Sequence, residues 1–228
     1  MNLKVIAYAR NGHTDKFGIP RQSRDESPIL TRIVFEPEYN VAEALRGIDG
    51  YSHLWLIWGF SEVQSDKAQN GEEWSPTVRP PRLGGNKRMG VFATRSPFRP
   101  NPIGLSSVRL IAVHTECGQL ELIVSGADVL DGTPIYDIKP YLSFSDSHPE
   151  AKNGFAEETK DRELEVDWSL VENADGKKAE IEYILRQDPR PGYQNDPERE
   201  YKMDYAGLRV TFKVSAKTVI VLKIEQIS

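Results

Sequence analysis

Short apolar stretches, separated by glycine and proline, dominate the first 142 residues of the chain. The stretches at residues 3–9, 29–35, 89–94, 105–115 and 120–125 have the length of β-strands. Residues 51–60 (YSHLWLIWGF) are almost continuously apolar, which predicts a strand buried on both faces. So many short strands favour a closed or nearly closed β-barrel.

The last third of the chain has a different pattern. Ile181, Ile184 and Leu185 form the apolar stripe of a helix over residues 177–186, and residues 208–214 and 218–224 read as a β-hairpin. The polar residues 143–159 before them have no sustained period and predict a linker. We therefore expect a mainly β protein, with a β-barrel domain at 1–142 and a small α+β domain at 160–228.

Local signals add one short helix to the first domain. Asn40 is a residue type that caps helices, and the turn at 47–50 would end a helix over residues 41–46. The sequence thus predicts a helix between the second and third strands.

Several common enzyme classes have no motif in this sequence. No GxGxxG follows a strand, and no GxxxxGK[ST] occurs, so Rossmann and P-loop nucleotide sites are not expected. The four histidines lack metal-ligand spacing, and the one cysteine, Cys117, cannot form an internal disulfide. No apolar run approaches the ~20 residues that span a bilayer. We expect a cytosolic protein with no metal and no membrane partner.

Charge is unevenly distributed along the chain. The whole sequence carries 29 basic and 34 acidic residues, yet residues 79–109 contain seven Lys and Arg and no Asp or Glu. A stretch of one sign in an acidic protein indicates a surface for an anion, although a solvated face balanced by acids elsewhere is the alternative.

Three loops combine charge with stiff backbone. Residues 95–104 (RSPFRPNPIG) carry two arginines among three prolines, which suits guanidinium groups that meet a phosphate or carboxylate at a fixed distance. Residues 17–22 (FGIPRQ) form a second such loop. Residues 128–142 (DVLDGTPIYDIKPYL) bring three aspartates, which could offset the arginines, face a cation or act as a base.

Together these segments resemble one family. FGIPRQ, SHLW, RPPRLGGNKRMGVFATRSPFRPNPIGLS and DGTPIYDIKPYL occur in this order in the TrmO (TsaA-like) family of tRNA methyltransferases. The resemblance covers residues 1–142, and DPRPGY at 188–193 is similar to a block in the smaller domain of bacterial members.

The resemblance implies a function and a site. The expected reaction is S-adenosylmethionine-dependent methylation of N6-threonylcarbamoyladenosine beside the tRNA anticodon, by a homodimer whose C-terminal domain helps to hold tRNA. The residues expected to contact the cofactor are Pro20, Arg21, Gln22, Phe60, Ser61, Arg95, Leu105, Asp131, Gly132, Thr133 and Pro134.

The remaining roles follow from chemistry and stay open at this point. The acceptor nitrogen is a poor nucleophile until its proton is removed, and Asp137 is our candidate base, with a salt bridge to Arg95 or Arg99 as its alternative role. The residues expected to meet nucleic acid are Arg79, Arg82, Lys87, Arg88 and Arg99. The competing functions are methylation of another nucleobase or a small molecule, and RNA binding without catalysis.

Overall fold

A computed structural model describes most of the chain. The described residues are 2–20, 22–23, 26–60, 75–80, 87–159, 163–190, 194 and 196–227. Among them, no helix is both long and apolar enough to cross a membrane.

Six antiparallel strands form the larger sheet. Their order is β1-β2-β7-β6-β3-β8, and β8 pairs back with β1, so the sheet closes on itself. The strands are β1 (Ala7–Arg10), β2 (Leu30–Phe35), β3 (His53–Gly59), β6 (Ile103–Glu116), β7 (Gln119–Ser125) and β8 (Pro134–Pro140). Two short strands between β3 and β6, β4 (Thr77–Val78) and β5 (Met89–Gly90), pair with each other.

Alternate residues of these strands fill the inside of the closed sheet. In β2 the buried residues are Thr31, Ile33 and Phe35, and β7 contributes Leu120, Leu122 and Val124. This alternation is what the two-residue period of a strand produces when one face is buried. The first hydrophobic core therefore lies within the larger sheet.

A second core lies in the C-terminal third. Strands β10 (Tyr201–Tyr205), β11 (Leu208–Ser215), β12 (Thr218–Gln226) and β9 (Glu165–Asp167) form a sheet in that order, here called the C-terminal sheet. Helix α2 (Lys178–Arg186) packs its buried residues Ile181, Ile184 and Leu185 into this core. In the sequence, helix α1 (Ser143–Asp146) and the 3-10 helix Gly154–Thr159 follow β8 and precede β9.

The mainly β prediction is confirmed, and so is the helical stripe of α2. The β11–β12 hairpin also forms, with Ala216 in the left-handed region at φ 52°. The division into domains at 142 and 160 stays a prediction.

Three local predictions are wrong. Strand β3 alternates between buried and half-buried residues, so it is not buried on both faces. Residues 89–94 form only the two-residue β5 and the 3-10 helix Val91–Ala93, because the chain turns directly after Gly90, the last paired residue. Residues 41–46 give only the 3-10 helix Ala42–Leu45.

Asn40 accounts for the last of these differences. Its side chain does not cap the turn; its amide oxygen accepts a hydrogen bond from Leu120 N at 2.7 Å, and its amide nitrogen donates to Gly118 O at 2.9 Å. Asn40 therefore ties this segment to the β6–β7 hairpin, a long-range contact that a local capping signal cannot reveal.

Candidate functional site

Residues 128–134, here called the aspartate bend, enter the site from the end of β7. Asp131 N donates to His13 O at 2.9 Å, and Gly132 N donates to Ala9 O at 2.8 Å. Gly132 has φ 77°, a conformation that favours glycine. The buried Thr133 closes the bend, since its N–H donates to Leu130 O and its carbonyl accepts from Ala9 N. The backbone of the bend is thus held against β1.

The Asp131 carboxylate lies at the surface of this bend. It accepts a hydrogen bond from Asn11 N at 3.0 Å, and Arg10 Nη1 lies 3.6 Å from its other oxygen. Pro134 follows as the first residue of β8. Asp131 therefore keeps a charged partner while remaining accessible to a ligand.

Two of the predicted cofactor segments meet directly. Arg95 Nη1 donates to the Gln22 side-chain oxygen at 2.5 Å, although 73 residues separate them in sequence. Both side chains are exposed, whereas Pro20, two residues before Gln22, is buried. Arg21, predicted for the same site, lies outside the described residues.

The end of β3 and the start of β6 form the apolar side of the site. Phe60 packs against Trp58 with ring centroids 4.4 Å apart, and its N–H donates to Pro102 O. Leu105, on β6, is 55% exposed. Ser61 lies outside the described residues.

Gly104 sits beneath the Trp58 indole. A Cβ added at Gly104 would overlap the indole ring itself, so the close approach of β6 to Trp58 requires glycine. The indole Nε1 in turn donates to Ser106 Oγ at 2.9 Å.

Asp128 is a functional candidate to which we assigned no role from sequence. The Ser106 hydroxyl donates to its Oδ1, which extends the chain of contacts from Trp58 to the aspartate bend. Burial raises the pKa of Asp128, while the Ser106 hydrogen bond and the Arg95 charge oppose that rise. A half-buried carboxylate with a raised pKa is a candidate proton acceptor. Only its place among three aspartates in the sequence pointed to it.

Asp137, the predicted base, has a different environment. Lys139 Nζ lies 2.8 Å from its Oδ2, and Ile138 N donates to its Oδ1. Asp137 therefore forms its salt bridge with Lys139, two residues further along the same strand. The alternative of a salt bridge to Arg95 or Arg99 is wrong.

The predicted phosphate-binding residues that the structure describes are exposed, except for Arg99, which bonds to the backbone of its own loop. Arg79, Lys87 and Arg88 are exposed, and Arg88 donates to Thr77 Oγ1 at 3.0 Å. Arg99 is half-buried, and its Nη2 donates to Thr94 O at 3.3 Å. Arg82 lies outside the described residues.

Exposed phenylalanines accompany these cations. Phe92 is 72% exposed and Phe98 is 47% exposed, on either side of Arg95 in the sequence. In the described part of the chain no group of three or more His, Cys, Asp or Glu could hold a metal ion.

Family models match both parts of the chain. The model described as the tRNA-methyltransferase O N-terminal domain covers residues 8–147, and that of the TrmO C-terminal domain covers residues 161–227. The chain belongs to the TrmO family.

Individual relatives are similar to this chain over most of their own length. A protein of Eikenella corrodens named tRNA (adenine(37)-N6)-methyltransferase is 48% identical over 168 residues, which is 72% of this chain and 91% of the relative. A Pseudomonas aeruginosa relative, named as an S-adenosylmethionine-dependent methyltransferase, is 41% identical over 211 residues, or 88% of this chain and 87% of its own. The crystal structure of TrmO from Pseudomonas aeruginosa superposes with a TM-score of 0.75 at 32% identity, and covers 99% of this chain and 98% of that one.

Proposed function

We propose that this protein is an S-adenosylmethionine-dependent methyltransferase that methylates N6 of adenosine 37 in tRNA, with N6-threonylcarbamoyladenosine as the acceptor. The family membership supports the reaction class. The observation in this molecule that carries the proposal is the Arg95–Gln22 hydrogen bond, because it joins two loops that the resemblance assigns to one cofactor.

The chemical groups of the site fit that cofactor. Its carboxylate matches the exposed Arg95 guanidinium, its cationic centre and ribose hydroxyls match carboxylate acceptors such as Asp131, and its adenine matches an apolar surface that includes Leu105. When bound, S-adenosylmethionine supplies the methyl group. We take the closed six-stranded sheet to be a β-barrel scaffold, with these loops as its binding face.

The protein's own part in the chemistry is to orient the acceptor and remove its proton. The acceptor N–H lies between a purine ring and a carbamoyl carbonyl, so a carboxylate within hydrogen-bond reach would make the nitrogen nucleophilic. Asp137 remains a candidate for this role. Asp128 is a second candidate, because burial raises the pKa of its carboxyl group and so strengthens it as a base.

An RNA surface extends from this site. Exposed arginines and lysines neutralise phosphates, and exposed aromatic rings stack on unpaired bases of a loop. Lys87 and Arg88 provide the first kind of group, and Phe92 and Phe98 the second. An anticodon loop, with unpaired bases between phosphates, is the substrate that uses both.

Two measurements separate the proposed reaction from its alternatives. Isothermal titration with S-adenosylmethionine should give saturable heat, whereas a protein that only binds RNA would give none. Mass spectrometry of nucleosides from tRNA incubated with enzyme and cofactor should then show one added methyl on threonylcarbamoyladenosine. Methyl transfer to another nucleoside, or to none, would contradict the proposed acceptor.

The phosphate contacts have a test of their own. Replacing Arg88 with Ala should weaken tRNA binding and lower the slope of log K against log salt by about 1, as loss of one phosphate contact does. Lys4→Ala is the matched control, since Lys4 is an exposed cation paired with Glu38 at 3.4 Å. Equal slopes for the wild-type protein and Arg88→Ala would remove Arg88 from the RNA surface.

The remaining proposals concern assembly and location. We propose a homodimer in the cytoplasm, where tRNA is available. Light scattering with size-exclusion chromatography should give twice the 25.8 kDa mass of the chain. A monomer that methylates tRNA would contradict the dimer.

A further inference from the structure

The connection between β1 and β2 contacts both the aspartate bend and the core of the C-terminal sheet. It leaves the closed sheet after Arg10 and carries Pro20 and Gln22 of the candidate site. Its last residue before β2, Ile29, is buried in the core of the C-terminal sheet. The segment proposed to bind the cofactor therefore lies across the junction of the two parts.

Phe17 is the main anchor of this connection on the C-terminal sheet. Its ring is stacked on Tyr201, with centroids 6.2 Å apart and planes at 16°, and lies 6.3 Å from the ring of Phe212. Tyr201 and Phe212 are themselves stacked and buried. Three aromatic rings from distant parts of the sequence thus form one cluster.

The backbone on either side of Phe17 is held as well. Asp15 accepts a hydrogen bond from Phe17 N at 3.1 Å, and Ile19 N donates to Lys16 O. A Cβ added at the buried Gly18 would lie 2.8 Å from Met203 Sδ, which is below normal contact distance. The loop approaches β10 so closely that a methyl group at position 18 would have to displace the Met203 side chain.

A second contact joins the same connection to the next turn of the C-terminal sheet. Ala206 N donates to Gly12 O at 2.8 Å, and His13 packs edge-on against Tyr205 with ring centroids 5.3 Å apart. The connection is therefore fixed to the C-terminal sheet at Gly12–His13 and again at Phe17–Gly18. Pro20 begins two residues after the second of these points.

We propose that Phe17 is a positioning residue for the methyl donor: packed on the C-terminal sheet, it holds Pro20 and Gln22 in the arrangement that S-adenosylmethionine requires. The inference rests on the proposed function. It gives the C-terminal part a role in cofactor binding, in addition to any contact with tRNA.

The test compares two truncations in the same core of the full-length protein. Phe17→Ala removes the anchor, and Val219→Ala is the control, because Val219 is fully buried in that core and pairs with Val214 and Val166. Dissociation constants for S-adenosylmethionine are measured by isothermal titration, and thermal unfolding is followed for each variant. If Phe17→Ala leaves residues 17–22 in the binding arrangement in only about a tenth of the molecules, the apparent Kd for S-adenosylmethionine rises about tenfold.

For Phe17→Ala we expect the Kd for S-adenosylmethionine to rise about tenfold. For Val219→Ala we expect the Kd to change by less than about twofold, at a comparable loss of thermal stability. Phe17→Tyr, which keeps the ring, should restore binding. In steady-state assays, KM for the cofactor should rise while kcat at saturation is retained. Equal Kd values for Phe17→Ala and the wild type would overturn the inference alone, whereas a wild type without saturable binding would overturn the proposed function as well.

A second set of variants tests the same anchor if Phe17→Ala unfolds. Gly18→Ala should weaken cofactor binding because its methyl meets Met203, and the double variant Gly18→Ala/Met203→Ala should recover it. Weakening without recovery in the double variant would show that contact with β10 does not control the loop.

Discussion

The half-buried Asp128 at the start of the aspartate bend and the buried His13 beside that bend are accommodated in opposite ways. Asp128 receives a hydrogen bond from Ser106 and lies in the field of Arg95. His13 is only 1% exposed, and neither of its ring nitrogens has a hydrogen-bond partner among the residues that the structure describes. A buried polar group without a hydrogen-bond partner lowers the stability of the folded protein. A group whose hydrogen bonds are made does not carry this cost and can take part in a reaction. We infer that Asp128 takes part in the reaction, and that His13 lowers the stability of the contact between the β1–β2 connection and the C-terminal sheet.

The largest expected effect is the response of His13 to acid. Burial lowers the pKa of His13 from 6.5 to about 4. Between these values the unfolded chain binds a proton that the folded chain does not, so stability falls as the pH drops from 6.5 towards 4. The loss is about 3 kcal/mol over the window, at about 1.4 kcal/mol per pH unit.

Urea unfolding at pH 7 and pH 5 measures this loss. His13→Phe should reduce the difference between the two pH values, because phenylalanine cannot be protonated. His114→Phe is made beside it, as the same replacement at a histidine that is exposed on β6. An equal pH dependence in the wild type and His13→Phe would show that His13 does not sense acid.

The next effect concerns the charge of Asp128. Asp128→Asn keeps the shape and an acceptor oxygen but removes the charge opposite Arg95. We expect kcat/KM for tRNA to fall about 100-fold, comparable to misplacing a reacting group by about 1 Å. Asp137→Asn is assayed beside it across pH. A larger fall for Asp137→Asn, with Asp128→Asn near wild type, would return the base assignment to Asp137.

The smallest effect is expected at Ser106. Ser106→Ala removes the hydroxyl that donates to Asp128, and should lower the free energy of unfolding by about 1–2 kcal/mol. The pKa of Asp128 should rise further, because a hydrogen bond to its charged form is lost. Carbon-detected NMR titration of the carboxyl group measures that rise. An unchanged titration would mean that Ser106 does not stabilise the carboxylate.

Much of the architecture was predictable from residue patterns. Strands β6 and β7 formed where apolar stretches of strand length, separated by glycine or proline, predicted them. The FGIPRQ and RSPFRPNPIG segments pointed to residues that do meet, Gln22 and Arg95.

Features that depend on distant partners were not predictable. The side chain of Asn40 pairs with the β6–β7 hairpin, and the carboxylate of Asp128 accepts its hydrogen bond from Ser106 on β6. The environment of His13 is set by Tyr205, almost 200 residues later. No local period or spacing encodes such contacts.

The glycine beneath Trp58 limits how this site can evolve. Position 104 is the second residue of β6, directly after a proline-rich segment, and it is buried. Here even alanine would push the indole away and disturb the path through Ser106 to Asp128. Functional selection from a saturation library should therefore return glycine at 104 almost alone, while position 111, which is exposed on the same strand and has no role in the candidate site, accepts many side chains.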